Sequence, residues 1–218
     1  MSAAPIVWEG EPRVDEDLDC ANISLSSTSF PLVVRPARRL NDEEFLRFCA
    51  ANESLRIERT AEGDLIVMTP AGTRTGNKEG YIFRELDFWV EREKQGIALN
   101  SNIGVAFPDG EIRMPDAGWV SESRWNSLTK KQQERLLPFC PEFVVELRSP
   151  SDRASQVEAK MEFWMSRGAQ LGWLIDPQRK LAMIYRSGRE QETLLNPEFL
   201  EGDGPIAGFR LKMQRFWE

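Results

Sequence analysis

The chain has 218 residues, 41% of them hydrophobic and 29% charged, which suits one sizeable domain with a trailing N-terminal arm. It contains no histidine, and this excludes Ser-His-Asp and Cys-His catalysis, histidine general bases, and the common zinc and non-haem iron sites of a single polypeptide. The net charge of -7 supplies no global basic footprint for nucleic acid, although a local groove can still be basic.

Residues 1 to 30 carry Pro5, Pro12, an acidic patch at Asp15-Glu16-Asp17 and a Ser/Thr run from Ser24 to Ser29, and read as a partly extended arm. This acidic start lacks the basic and apolar regions of a signal peptide, and no apolar run approaches the roughly 18 residues of a membrane helix. A cytoplasmic chain without membrane contact is expected. Cys20, Cys49 and Cys140 lie far apart and suggest neither a disulfide framework nor a thiolate zinc site.

Asn41 or Asp42 caps a predicted helix running to about Asn52, with Phe45, Leu46, Phe48 and Cys49 as its apolar positions. "LRIERTAEGDLIVMTP" reads as a hairpin turning at Glu62-Gly63-Asp64. A loop from Ala71 to Gly76 then leads into a long helix with Ile82, Leu86 and Trp89 at i, i+4 and i+7, and Gly96 as its stop. Strands follow around Ile97–Phe107 and Glu111–Val120, joined by a Pro108-Asp109-Gly110 turn.

A polar helical segment near Ser121–Leu137 precedes the apolar run "PEFVVELRSP". A helix capped by Ser155 runs to about Arg167, and "LGWLIDP" and "KLAMIYR" are two further strands. Helix, strands, crossover helix and more strands predict an α/β chain with a mixed sheet packed by helices.

Three stretches carry candidate chemistry. Within "FVVELR" the period of two puts Glu146 and Arg148 on one face, where an internal ion pair is the simplest account of a buried carboxylate. Asp116, in "RMPDAGWV", follows a proline that biases Met114 toward extended backbone and lies thirty residues before Glu146, far enough to return as an adjacent strand. Two carboxylates brought together repel, and a hard divalent cation such as magnesium or manganese relieves them.

Lys160 stands at the edge of the apolar face formed by Val157, Met161, Trp164 and Met165. It either snorkels to solvent or orients a water or phosphate beside a metal site. Glu58 in "LRIER" and Glu79 near the start of the long helix are further carboxylate candidates, Glu58 reading otherwise as an exposed strand residue. Trp119, Trp125, Trp164 and Trp173 read as core, and "GTRTGNK" lacks the spacing of a nucleotide-binding loop. Arg35, Arg38 and Arg39, and Lys130 with Lys131, would border a DNA groove or simply form solvated faces.

Taken together, "PD", "ELR" and a helix bearing a lysine resemble the PD-(D/E)XK nuclease superfamily, and most closely its Uma-type branch, described as candidate restriction endonucleases. "LIVMTPAG", "TGNKEGYIFREL", "FPDGEIRMPDAGWVSESRW", "CPEFVVELRSPSDR", "KMEFW" and "GAQLGWLIDP" read like that branch in its usual order, from about Asn41 to Arg186. The resemblance implies a restriction-endonuclease-like mixed β-sheet flanked by helices, as a single domain over residues 31–218. It also implies Mg2+- or Mn2+-dependent hydrolysis of DNA phosphodiester bonds.

By the same resemblance Asp116, Glu146 and the Leu147 carbonyl would be metal ligands; Glu58, and after it Glu79, are the candidates for a further carboxylate at that site. Arg148 stands where the superfamily has lysine; an arginine pairs with phosphate but is a poor proton acceptor. Lys160 would supply the amine from the helix, and a homodimer would place one site on each strand of a duplex. The alternative is a catalytically weak or inactive protein that keeps the fold for nucleic-acid binding or assembly.

Overall fold

The computed structural model describes residues 31–68 and 70–218, together with the backbone of a two-residue strand, β1, at Ile6–Val7. The rest of the expected N-terminal arm lies outside the described residues. The chain divides into two compact units: residues 1–70 with 104–113, and residues 71–103 with 114–218.

The first unit is built on a six-stranded sheet in the order β1-β2-β4-β3-β7-β6. Its strands are β2 (Leu32–Arg35), β3 (Arg56–Arg59), β4 (Leu65–Met68), β6 (Val105–Ala106) and β7 (Ile112–Arg113), with helix α1 at Asp42–Ala51. Pairing is antiparallel except between β1 and β2. Helix α1 begins where the sequence predicts: the Asn41 side chain accepts from the Glu44 N–H while Glu44 reaches back to the Asn41 N–H, a reciprocal cap. The expected basic cluster is tied up here, Arg35 on Asp64 and Arg38 on Glu44, with Arg39 donating to the Asp109 carbonyl.

The second unit carries the sheet β12-β11-β10-β9-β8-β5. Its strands are β5 (Ile97–Asn100), β8 (Ala117–Val120), β9 (Phe143–Leu147), β10 (Leu171–Asp176), β11 (Leu181–Arg186) and β12 (Glu192–Leu195). Strands β9 and β10 run parallel and the other neighbours antiparallel. The long helices are α2 (Thr73–Glu93) and α5 (Ala154–Ser166), and two short ones, α3 (Glu122–Asn126) and α4 (Lys130–Gln133), fill the polar segment. A small hairpin of β13 (Phe199–Glu201) and β14 (Arg210–Lys212) leads to the last helix, α6 (Gln214–Trp217).

Every residue of β9 is buried, as for a central strand covered on both faces. Phe143, Val145 and Leu147 join Ile82, Leu86 and Trp89 of α2 and Trp173, Phe209 and Phe216 in one core. The alternate residues turn to the opposite face, where α5 packs on β9 and β10. At Gly172 the approach is close, since a Cβ there would meet the Met161 sulfur at 2.3 Å. This is the α/β architecture expected, a mixed sheet flanked by helices.

Three local expectations differ. Helix α2 starts at Thr73 with Gly72 as its N-cap, so most of the supposed loop is helical. Helix α5 starts at Ala154 with Arg153 in the capping position and no side-chain cap, so Ser155 is inside it. The two strands expected around Pro108-Asp109-Gly110 are four: Asn100 turns the chain by accepting from the Asn102 N–H, and Pro115 has no N–H to offer a ladder. Strands β5 and β8 thus pair in one sheet and β6 and β7 in the other.

Candidate active site

Strands β8 and β9 pair with Ala117 opposite Val145, which carries Asp116, one residue before β8, to the end of β9. Its N–H donates to the Val145 carbonyl at 3.1 Å, and its carboxylate accepts from the Leu147 N–H at 2.8 Å. Asp116 and Glu146 are both buried, at 7% and 2% exposure. Alternation along β9 turns Glu146 to the α5 side, and the β8–β9 pairing brings two acidic residues separated by thirty positions to adjoining strand ends.

Helix α5 answers them. Lys160 and Trp164 are four residues apart and so lie on one helix face. The Lys160 ammonium is 3.0 Å from Glu146 Oε2 and donates to the Met114 carbonyl at 2.8 Å. The Trp164 indole N–H donates to Glu146 Oε1 at 2.7 Å. Both Glu146 oxygens are thus engaged, yet burial pushes this carboxyl up to about 8. The attraction of Lys160 opposes that rise, and the charge of Asp116 adds to it.

Arg148 does not pair with Glu146. Its Nη1 donates to Asp176 Oδ2 at 2.8 Å and its Nε to the Asp152 carbonyl at 3.1 Å. Asp176 is buried at the end of β10, where it also accepts from the Gln178 and Arg179 N–H groups. The simple ion-pair account of Glu146 therefore fails: each residue has a different partner. Arg148 and Leu147 line a cavity of about 170 Å3 with Arg74 and Lys78.

Glu58 belongs to the first unit. It is buried at 2% exposure, against the expectation of an exposed strand residue, and accepts from Arg113 at 3.0 Å. Glu79 is half-buried on α2. Among the described residues no three carboxylates or thiols converge as a metal-binding group. What β8 and β9 offer is a pair of carboxylates at a strand end. That donor set fits magnesium or manganese, which bind through one or two carboxylates with water and substrate phosphate completing the shell. It does not fit a closed structural site.

The sequence misleads on Trp164, which reads as core and is core, but also bonds Glu146. Its spacing of four from Lys160 was the available signal. Asp176 was visible only as the end of an apolar run, and its role depends on β10 lying parallel to β9, with Leu174 opposite Glu146.

No curated protein matches the chain. A solved structure from Anabaena variabilis ATCC 29413, described as a putative nuclease belonging to DUF820, superposes with a TM-score of 0.61 at 21% identity, covering 74% of this chain and 89% of that one. At that identity the likeness concerns the fold. The model of the Uma2 family, described as "Putative restriction endonuclease", matches residues 42–214, most of the chain, and the protein belongs to that family.

Proposed function

We propose that the protein is a divalent-metal-dependent endonuclease that hydrolyses DNA phosphodiester bonds. The observation that carries this reading is Glu146: a carboxyl buried beside a second one, Asp116, with an ammonium 3.0 Å away. Asp116, Glu146 and the Leu147 carbonyl would hold Mg2+ or Mn2+. When bound, the ion would activate water and neutralise charge on the scissile phosphate.

The chain's own residues have separable tasks in this reading. Trp164 fixes the Glu146 carboxylate by its 2.7 Å bond, and the Leu147 N–H does the same for Asp116. Lys160, anchored on the Met114 carbonyl, presents a cation where a water or a phosphate oxygen would sit. Arg148, held by Asp176, would bind phosphate and does not serve as a base. The nuclease domain would span residues 31–218, with residues 1–30 as an arm, and act on DNA in the cytoplasm as a homodimer.

Calorimetric titration of Mn2+ into wild type and Glu146→Gln tests the reading without knowledge of the target sequence. Binding to wild type that vanishes in the variant is expected, together with loss of Mg2+-dependent cleavage of plasmid DNA. A Glu146→Gln protein that cleaves at the wild-type rate would overturn it. The clasp of Arg148 by Asp176 favours a second reading, an inactive nucleic-acid-binding protein on the same fold. DNA binding without Mn2+ binding would select it.

A further inference from the structure

One seam of the second unit brings several cations together. Arg74, Lys78, Tyr81 and Arg84 follow one another along a single side of α2, and the chain from β14 to α6 lies against them. Lys78 donates to the Phe216 carbonyl at 2.8 Å, Arg74 to the Glu218 carbonyl at 3.2 Å and Tyr81 to the Lys212 carbonyl at 3.3 Å.

Two cavities open along this seam, with Glu218 in the wall of both. The larger, about 370 Å3, is lined by Tyr81, Arg84, Lys212 and Arg215. The smaller is the one that contains Leu147 and Arg148 and is also lined by Arg74 and Lys78.

Among the described residues six cations thus line the seam, in a protein whose net charge is -7. Three acidic residues answer them: Asp176 bonds Arg148, Glu85 bonds Arg84, and Glu218 is shared between the two cavities. Arg84 and Arg215 both stand on the Tyr81 ring, at 5.0 Å and 4.8 Å from its centroid, an arrangement that gathers two like charges around one aromatic ring. Burial, and then the charge of Arg74, hold the Lys78 ammonium below its usual range. Such crowding of cations is relieved by an anion.

We infer that this seam is a binding track for the phosphodiester backbone of nucleic acid, leading from an outer station at Tyr81, Arg84 and Arg215 to the Leu147 end of the candidate active site. Length argues for a polymer over a single anion. Arg74 and Arg84 are ten residues apart on one helix, about 15 Å, a span that covers roughly four phosphates of one strand when measured along the duplex axis at about 3.4 Å each. Inorganic phosphate or a mononucleotide fills one station only. The inference rests on the nuclease reading for its direction, but binding along the track requires no metal.

Fluorescence anisotropy of a labelled DNA duplex with the full chain in EDTA tests it. The exposed pair Arg84→Glu/Arg215→Glu is expected to bind about tenfold or more weakly, with a salt slope reduced by about 2 phosphate contacts. Arg74→Glu should weaken binding at the inner station in the same way. The control Lys130→Glu/Lys131→Glu, exposed on α4, should bind like wild type.

Affinity of the Arg84/Arg215 variant equal to wild type, or reduced no more than that of the control, overturns the track. So does displacement of the duplex by inorganic phosphate at a matched phosphate concentration. Mn2+ titration of the same preparations separates the two readings. Lost DNA binding with no Mn2+ uptake by wild type keeps the track and removes the nuclease; normal Mn2+ uptake with unaltered DNA binding does the reverse.

Discussion

Both units bury charge, and they do so differently. In the first unit Arg59 is 2% exposed, and its guanidinium meets the Asp42 carboxylate and the Leu40 and Gly110 carbonyls. Arg113 bridges Glu58 and Glu111. Burial alone would lower the Arg113 pKa, but those two carboxylates more than offset it and raise it. In the second unit Glu146 is pushed up to about 8, with Lys160 only partly opposing burial and Asp116. A closed charge network holds a fold together; a strained one is poised to accept something more.

The contrast can be broken most directly at Arg113. Arg113→Met removes the cation that bridges Glu58 and Glu111, carboxylates 3% and 8% exposed, and should cost about 3–5 kcal/mol in chemical denaturation. A cost no larger than that of Glu146→Gln would erase the distinction between the two regions. Next in size is Lys160→Ala, which should slow cleavage by about 10²-fold while Mn2+ affinity stays near wild type. Unchanged rates would move the cationic role to Arg148.

Stability against pH sharpens the same contrast. A Glu146 carboxyl raised from 4.5 to about 8 leaves the folded state holding an extra proton between those values. Its contribution is therefore fully present below about pH 4.5 and lost as pH rises through 8, on the order of a few kcal/mol. Glu146→Gln has no such loss, so its melting temperature relative to wild type should climb from pH 5 to pH 9 in EDTA. Parallel melting curves for the two proteins across that range would contradict the raised value. The smallest effect belongs to Trp164→Phe, which removes one hydrogen bond to Glu146 and should cost about 1 kcal/mol or less at pH 5.

Much of this arrangement is legible from residue patterns. The period of two in "FVVELR" placed Glu146 on the face away from Phe143 and Val145, and a spacing of three from Val157 placed Lys160 at the edge of the face that α5 turns to the sheet. Asn41 and Glu44 announced α1 by local chemistry alone. What stays hidden depends on tertiary pairing. Glu58 alternates with apolar neighbours as an exposed residue would, and nothing local reveals that β7 brings Arg113 to it. Arg148 and Asp176 meet only because β9 and β10 run parallel. Gly72 to Gly76 looked like a loop because glycine has low helix propensity, a preference overridden by the buried stripe at Ile82, Leu86 and Trp89.

The indole bond to Glu146 has an optical consequence. A tryptophan whose N–H rests on a carboxylate changes its emission when that carboxylate gains or loses a proton or turns toward another ligand. Trp164 is wholly buried and is one of seven tryptophans in the chain, so its signal is the difference between wild type and Trp164→Phe. The protein therefore carries a native reporter 2.7 Å from the Glu146 carboxylate, and any metal uptake there would be followed in solution without a substrate or a label.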